Sequence, residues 1–152
     1  MRQTMQFECS IEIDAPLEFV TEHFSNRENQ KKWHDGLISI TPLEGELGTV
    51  GSKCELDYGK FKIIETVTVS QLPHEYSGEF DTPKTCRNSM KNFFEPVGEG
   101  TNYRVEVEYT YMLWILRVMN LFKPNMMKNQ VEDYLAKFKS VVESEFLATK
   151  PS

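Results

Sequence analysis

Apolar and polar residues alternate through the first stretch of the chain, "MQFECSIEI", where Met5, Phe7, Cys9, Ile11 and Ile13 share one side. A period of two marks a strand with one buried face. The run stops at Asp14-Ala15-Pro16, where Pro16 suits the first turn of a helix and Asp14 a cap just before it. Leu17, Val20 and Phe24 then recur at helical spacing. Ser25, with Glu28 three residues on, has the form of a capping box and predicts a second short helix carrying Trp33 and ending near His34-Asp35-Gly36.

From residue 37 the chain reads as consecutive strands separated by turn signals: 37–43, 52–58, 60–72, 75–81, 86–97 and 102–111. Connections this short imply antiparallel hairpins. The period changes again after Met127. Val131, Tyr134, Leu135, Phe138, Val141, Val142 and Phe146 are three and four apart, with Lys128, Glu132, Asp133, Lys139 and Glu143 between them. That is an amphipathic helix of roughly 24 residues, about 36 Å long, with Pro124 in its first turn. With no repeats or linkers, residues 1–152 are expected to form one domain: a strand, two short helices, six strands and a long helix.

Composition narrows the function classes. At 152 residues, 39% hydrophobic and 26% charged, the chain has the make-up of a globular protein with a real core. Seventeen Lys and Arg against twenty-three Asp and Glu give a net charge of −6. No basic stripe is available to neutralise phosphates, so nucleic acid is not an expected partner. Cys9, Cys54 and Cys86 are odd in number and without C-x-x-C spacing, which reads as free thiols in a reducing cytoplasm. The opening "MRQTMQFECS" has no apolar core of an export signal.

The greasiest segment, "LWILRVMNLFKPNMM" from Leu113 to Met127, is too short to span a bilayer and is interrupted at Arg117. A span takes about 20 predominantly apolar residues. No stable membrane insertion is expected of it. The lining of a cavity, a plug in a full core and a dimer surface all remain open, so the chain is expected to be a monomer or weak homodimer.

Several words of the sequence, in order, resemble the START-like superfamily of helix-grip proteins, also called SRPBCC or polyketide cyclase/dehydrase-like. "IEIDAPLEFV" resembles its first strand-to-helix corner, "NRENQKKWHDGL" its second helix, "GTVGSK" its glycine turn and "FEPVGEGTNYRVEVEY" its last hairpin. The resemblance implies an α+β fold, a curved antiparallel sheet of about seven strands wrapped around the C-terminal helix, with a largely apolar cavity between them. Members bind lipids, sterols, polyketides or plant hormones; some are cyclases, and one branch activates a chaperone. The wall implied here would comprise Trp33, Leu56, Tyr58, Ile63, Phe80, Met90, Tyr109, Tyr111, Val131, Tyr134 and Leu135. Met112, Leu113, Met119, Phe122, Met126 and Met127 would form a pliable cover, since unbranched Met repacks readily.

Strand parity suggests where polar groups break the apolar lining. Glu65 shares a face with Phe61, Ile63, Val67 and Val69, and Asn88 and Asn92 share one with Met90 and Phe94. Arg87 and Lys91 fall on the opposite, solvated face. A carboxylate is costly to bury alone, so Glu65 is paired, or protonated, or wet. With Asn88 and Asn92 it would make a polar clamp for a ligand hydroxyl or carbonyl. His34, beside Trp33, is a candidate proton carrier near neutral pH, whereas His23 and His74 read as peripheral. No metal-binding spacing, nucleophile motif or P-loop is present, and no cofactor is expected.

The reading therefore leans to a carrier or sensor that binds a small hydrophobic molecule. Two alternatives remain: a cyclase- or hydratase-type enzyme with Glu65 as acid or base and the two amides orienting a carbonyl, and a protein-interaction module resembling the chaperone-activator branch.

Overall fold

The alternation at the N-terminus forms an edge strand. The computed structural model describes residues 4–150, and β1 (Thr4–Ile13) pairs antiparallel with the last strand, β7 (Gly100–Tyr111). Between them in sequence lie α1 (Leu17–Ser25), a 3-10 helix (Arg27–Lys32), β2 (Ser39–Glu44), β3 (Lys53–Asp57), β4 (Lys62–Gln71), β5 (Glu75–Thr82) and β6 (Cys86–Val97). Two helices follow β7: α2 (Trp114–Phe122) and α3 (Met126–Thr149). The sheet order is β1-β7-β6-β5-β4-β3-β2, antiparallel throughout. This is the helix-grip architecture.

Helix α3 supplies the stripe that the sheet grips. Val131, Leu135, Phe138 and Val142 are buried, each stabilising by about 1.5–3 kcal/mol through area removed from water. Phe138 meets Trp33 and Tyr103 edge-on, with ring centroids 4.9 and 5.5 Å away. Phe24 of α1 closes the same aromatic cluster against Phe94 and Tyr103. The β1–α1 corner is pinned from two sides: Thr101 Oγ1 donates to Ala15 O (2.8 Å), and the Asp14 N–H donates to Glu143 Oε2 (2.7 Å). Gly100 lets β7 start against the end of β1, because a Cβ there would sit 2.8 Å from Ile13 O.

Asp14 does not cap α1; Pro16 occupies the cap position, and its carbonyl accepts the first helical bond from Val20 N. Nor does a Ser25–Glu28 capping box form. Ser25 Oγ turns back to Glu22 O, and Asn26 Oδ1 accepts from Glu28 N, starting a 3-10 helix that ends just before Trp33. Pro124 stands one position ahead of the α3 cap, Asn125, outside the helix. The apolar segment from Leu113 to Met127, given no element of its own in the expected order, contains the separate helix α2.

Candidate functional site

Alternation along the middle strands creates a cavity of about 260 Å³ between the sheet and the first half of α3. Leu56 comes from β3 and Ile63 and Glu65 from β4. Tyr76, Gly78 and Phe80 come from β5, and Asn88, Met90 and Asn92 from β6. Met127, Gln130, Val131 and Tyr134 close it from α3, and Phe24, Gln30, His34 and Tyr58 from one end. Parity along β4 holds only as far as a bulge between Val67 and Val69. Beyond it Val69 pairs with Ser77 and leaves the face of Glu65. Phe61 precedes the strand and is exposed, stacked on Tyr58 at 5.1 Å.

Glu65 is the charged centre of this wall, and it is paired. Arg27, on the 3-10 helix, donates Nη2 to Glu65 Oε1 and to the Tyr76 hydroxyl, both at 2.9 Å. The Cys54 thiol approaches the same oxygen at 3.7 Å. The two contacts fall on Oε1, so Oε2 is the oxygen with capacity for a donor from a ligand. Burial, with Glu65 second, pushes the Cys54 thiol up to about 12, which leaves it inert as a nucleophile. Arg27 Nη1 is buried with no hydrogen-bond partner among the described residues. Arg27 itself lines not this cavity but a neighbouring one of about 200 Å³, which shares Phe24, Gln30 and Tyr76 with it.

The two amides have different roles. Asn92 is buried and spoken for: Nδ2 donates to Tyr76 O (2.9 Å), and Oδ1 accepts from the Tyr103 hydroxyl (2.5 Å). Asn88 is only partly buried and lines the cavity beside Phe80, its partner across β5 and β6. His34 accepts or donates at Nδ1 to the Tyr58 hydroxyl (3.2 Å) and lies 5.1 Å from the Tyr134 ring. Burial, with the Arg27 charge second, pulls its pKa down to about 4. It is therefore a neutral wall group near pH 7. Tyr58, Tyr76 and Tyr134 are each pushed up to about 12, chiefly by burial.

Four residues expected at the wall, and two expected in its cover, lie elsewhere. Trp33 and Leu135 are packed into the core behind the cavity, 2% exposed each. Tyr109 and Tyr111 point inward from β7 but beyond the cavity; the Tyr109 hydroxyl donates to Asn120 Oδ1 of α2, and the Tyr111 carbonyl accepts from Arg117. Met119 and Phe122 sit on the exposed side of α2. Of the imagined cover only Met127 reaches the cavity. Leu113 is exposed, and Met126 packs against the core cluster.

Arg27 is the group sequence reasoning missed. It stands among Lys31 and Lys32 in a polar stretch, and no periodicity distinguishes the one cation that turns inward. The signal that existed was indirect: a buried Glu65 needs a partner. Among the described residues no cluster of three His, Cys, Asp or Glu is placed to hold a metal ion, and no helix is long and apolar enough to cross a membrane.

Comparison with known proteins locates this geometry. Residues 4–143 match the family model described as polyketide cyclase / dehydrase and lipid transport. No curated protein matches the chain by sequence. Among solved structures, Ara h 8.0201 superposes with a TM-score of 0.71 at 14% identity, over 93% of this chain and 99% of that one. Norcoclaurine synthase from Thalictrum flavum, in complex with dopamine and hydroxybenzaldehyde, gives 0.69 at 12% identity, over 99% and 91%. A protein of unknown function from Staphylococcus aureus, SA2116, gives 0.74 at 12%, over 95% and 96%. At these identities the structural likenesses establish the fold.

Proposed function

Since the chain belongs to the polyketide cyclase / dehydrase and lipid transport family, within the START-like superfamily, we propose that it binds a compact hydrophobic molecule between sheet and α3, as a carrier or sensor. The observation that carries this reading is the cavity itself: aliphatic and aromatic side chains form most of its wall, and Glu65, ion-paired with Arg27, places one charged group in that wall. Small-molecule sites combine an apolar lining with a few placed polar groups in this way. Their volumes usually run from about 300 to 1,000 Å³. At about 260 Å³, the space favours a one- or two-ring aromatic or a short acyl chain over an extended sterol. Glu65 Oε2 and the Asn88 amide are the groups assigned to a ligand hydroxyl or carbonyl.

Native mass spectrometry of gently purified protein, followed by organic extraction, tests the reading. The expected result is a bound compound of low mass that raises the melting temperature when added back. Met90→Trp, which fills the cavity from β6, should keep cooperative unfolding and lose the adduct; Ile63→Phe is the milder version. A clean apo mass, with no thermal shift across aromatic acids, fatty acids and sterols, would overturn it.

A further inference from the structure

Helix α2 has its polar side turned inward. At about 100° per residue, Val118 centres a face flanked by Trp114, Ile115, Leu121 and Phe122, and these five are 40–82% exposed. The opposite side, against β1 and β7, carries Arg117 and Asn120 as well as the partly buried Leu116. Those polar groups fix the orientation. Arg117 Nε donates to Tyr111 O (2.9 Å), Asn120 Nδ2 to Met5 Sδ (2.8 Å), and Asn120 Oδ1 accepts from the Tyr109 hydroxyl (3.3 Å). A helix serving only to close the sheet would bury its apolar side and expose the other. An apolar surface of this extent on one short helix marks a contact site.

Charge indicates what covers it. The whole chain is at −6, yet from Met112 to Val131 the ionisable groups are Arg117, Lys123 and Lys128, with no acid. Lys84 adds a cation nearby, because the neighbouring Thr85 carbonyl accepts from Met112 N and Leu113 N (2.9 and 3.3 Å). Asp81 of the same hairpin faces Arg87 at 3.5 Å. The first acids on the other flank, Glu132 and Asp133, lie a turn further along α3 than Lys128. An exposed apolar face with aromatic ends and a basic rim complements an anionic lipid surface. A second copy would set two such basic rims against each other.

We propose that α2 is a docking helix for a bilayer containing anionic phospholipid, lying in the headgroup region with Trp114, Leu121 and Phe122 immersed and Lys84, Lys123 and Lys128 at the rim. A helix of nine residues, about 13 Å long, lies on a membrane and cannot span it. The linker between α2 and α3 leads directly to Met127 and to the exposed Gln130, which line the cavity. Docking would therefore hold that opening beside the bilayer, although the proposal does not require the cavity to be filled.

The chain carries its own probe. Of its two tryptophans, Trp33 is 2% exposed and Trp114 69%, so a blue shift of emission on adding vesicles reports α2. Full-length protein is titrated with phosphatidylcholine vesicles, with and without phosphatidylserine, and co-sedimentation is measured in parallel. A blue shift and pelleting with the anionic vesicles, weakened by salt, are expected. Lys123→Gln should weaken binding about fivefold, the usual contribution of one cation near such a surface. Leu121→Gln with Phe122→Gln should abolish it while the far-ultraviolet circular dichroism stays unchanged, since both side chains are exposed. No shift with either vesicle, or equal binding to both, would overturn the proposal. So would Trp114 emission that is already blue without lipid in a protein that sediments as a dimer. Loss of the compound from the cavity would leave these outcomes unaltered and so bears only on the binding reading.

Discussion

Replacing Arg27 by Met removes the guanidinium while keeping most of the aliphatic stem. Its side chain is 18% exposed and that of Glu65 8%, with the charges 2.9 Å apart. At an effective dielectric constant of about 20, the attraction is roughly 6 kcal/mol. Desolvating the two ions costs several kcal/mol each, so the intact pair is close to neutral for stability. Arg27→Met alone leaves Glu65 buried without its partner, at a cost of about 3–5 kcal/mol, and the Tyr76 hydroxyl loses its bond as well. Against a total of about 5–15 kcal/mol, that is a large fraction. The double variant Arg27→Met, Glu65→Leu should recover most of it, because no charge is then stranded. Urea denaturation of wild type, both single variants and the double variant forms a closed cycle, with a coupling of at least 2 kcal/mol expected. Additive single effects, or a cost below about 1 kcal/mol for Arg27→Met, would show that water already screens the pair and would refute the buried-pair account.

Acid should destabilise the native state through His34. The folded group titrates near 4 and the unfolded one near about 6.5, so between these values only the unfolded chain takes up the proton. This contribution is complete above about pH 6.5 and is lost as pH falls toward 4, by up to about 3 kcal/mol. The wild-type minus His34→Asn difference in denaturation midpoint across that range checks it; a flat difference would count against it. Tyr103→Phe strips Asn92 Oδ1 of its 2.5 Å donor in a buried setting and should cost about 1–3 kcal/mol in equilibrium unfolding. Gly100→Ala places a Cβ 2.8 Å from Ile13 O, and should cost about 1–3 kcal/mol, with faster amide exchange where β1 meets β7.

Element order was legible because each period is continuous over its element: two along β1, three and four along α3. What escaped was decided by single contacts. Asn26 rather than Ser25 caps the 3-10 helix because its carboxamide oxygen reaches Glu28 N at 3.0 Å, and either residue type suits the position. The register of β4 up to Val67 placed Glu65 inward, but a one-residue bulge moved Val69 off that face, which a period of two does not foresee. Likewise Tyr109 and Tyr111 have inward parity, yet where a cavity stops along a strand depends on the helix above it. In α2 the sequence pattern was misleading, since its most apolar side faces away from the core. Composition left a lining, a plug and a dimer surface open; Arg117 and Asn120, which interrupt the apolar run, are the groups that hold it to the body.

The cavity carries a thermodynamic signature that distinguishes a site from loose packing. Empty volume in a core costs on the order of 24 cal/mol per Å³; for about 260 Å³ that gives an upper figure of roughly 6 kcal/mol, comparable with total stability. Water entering past Gln130 reduces it. A bound molecule that makes the missing contacts recovers part of this energy, and so does a larger side chain. Ile63→Phe and Met90→Trp should therefore raise the melting temperature of ligand-free protein while removing the shift that an added compound produces. Variants that lower stability with binding intact would mean that the walls are already in contact and that the compound binds elsewhere. Opposite signs for stability and binding at the same two positions are the outcome that only a ligand-sized vacancy between β6, β4 and α3 can give.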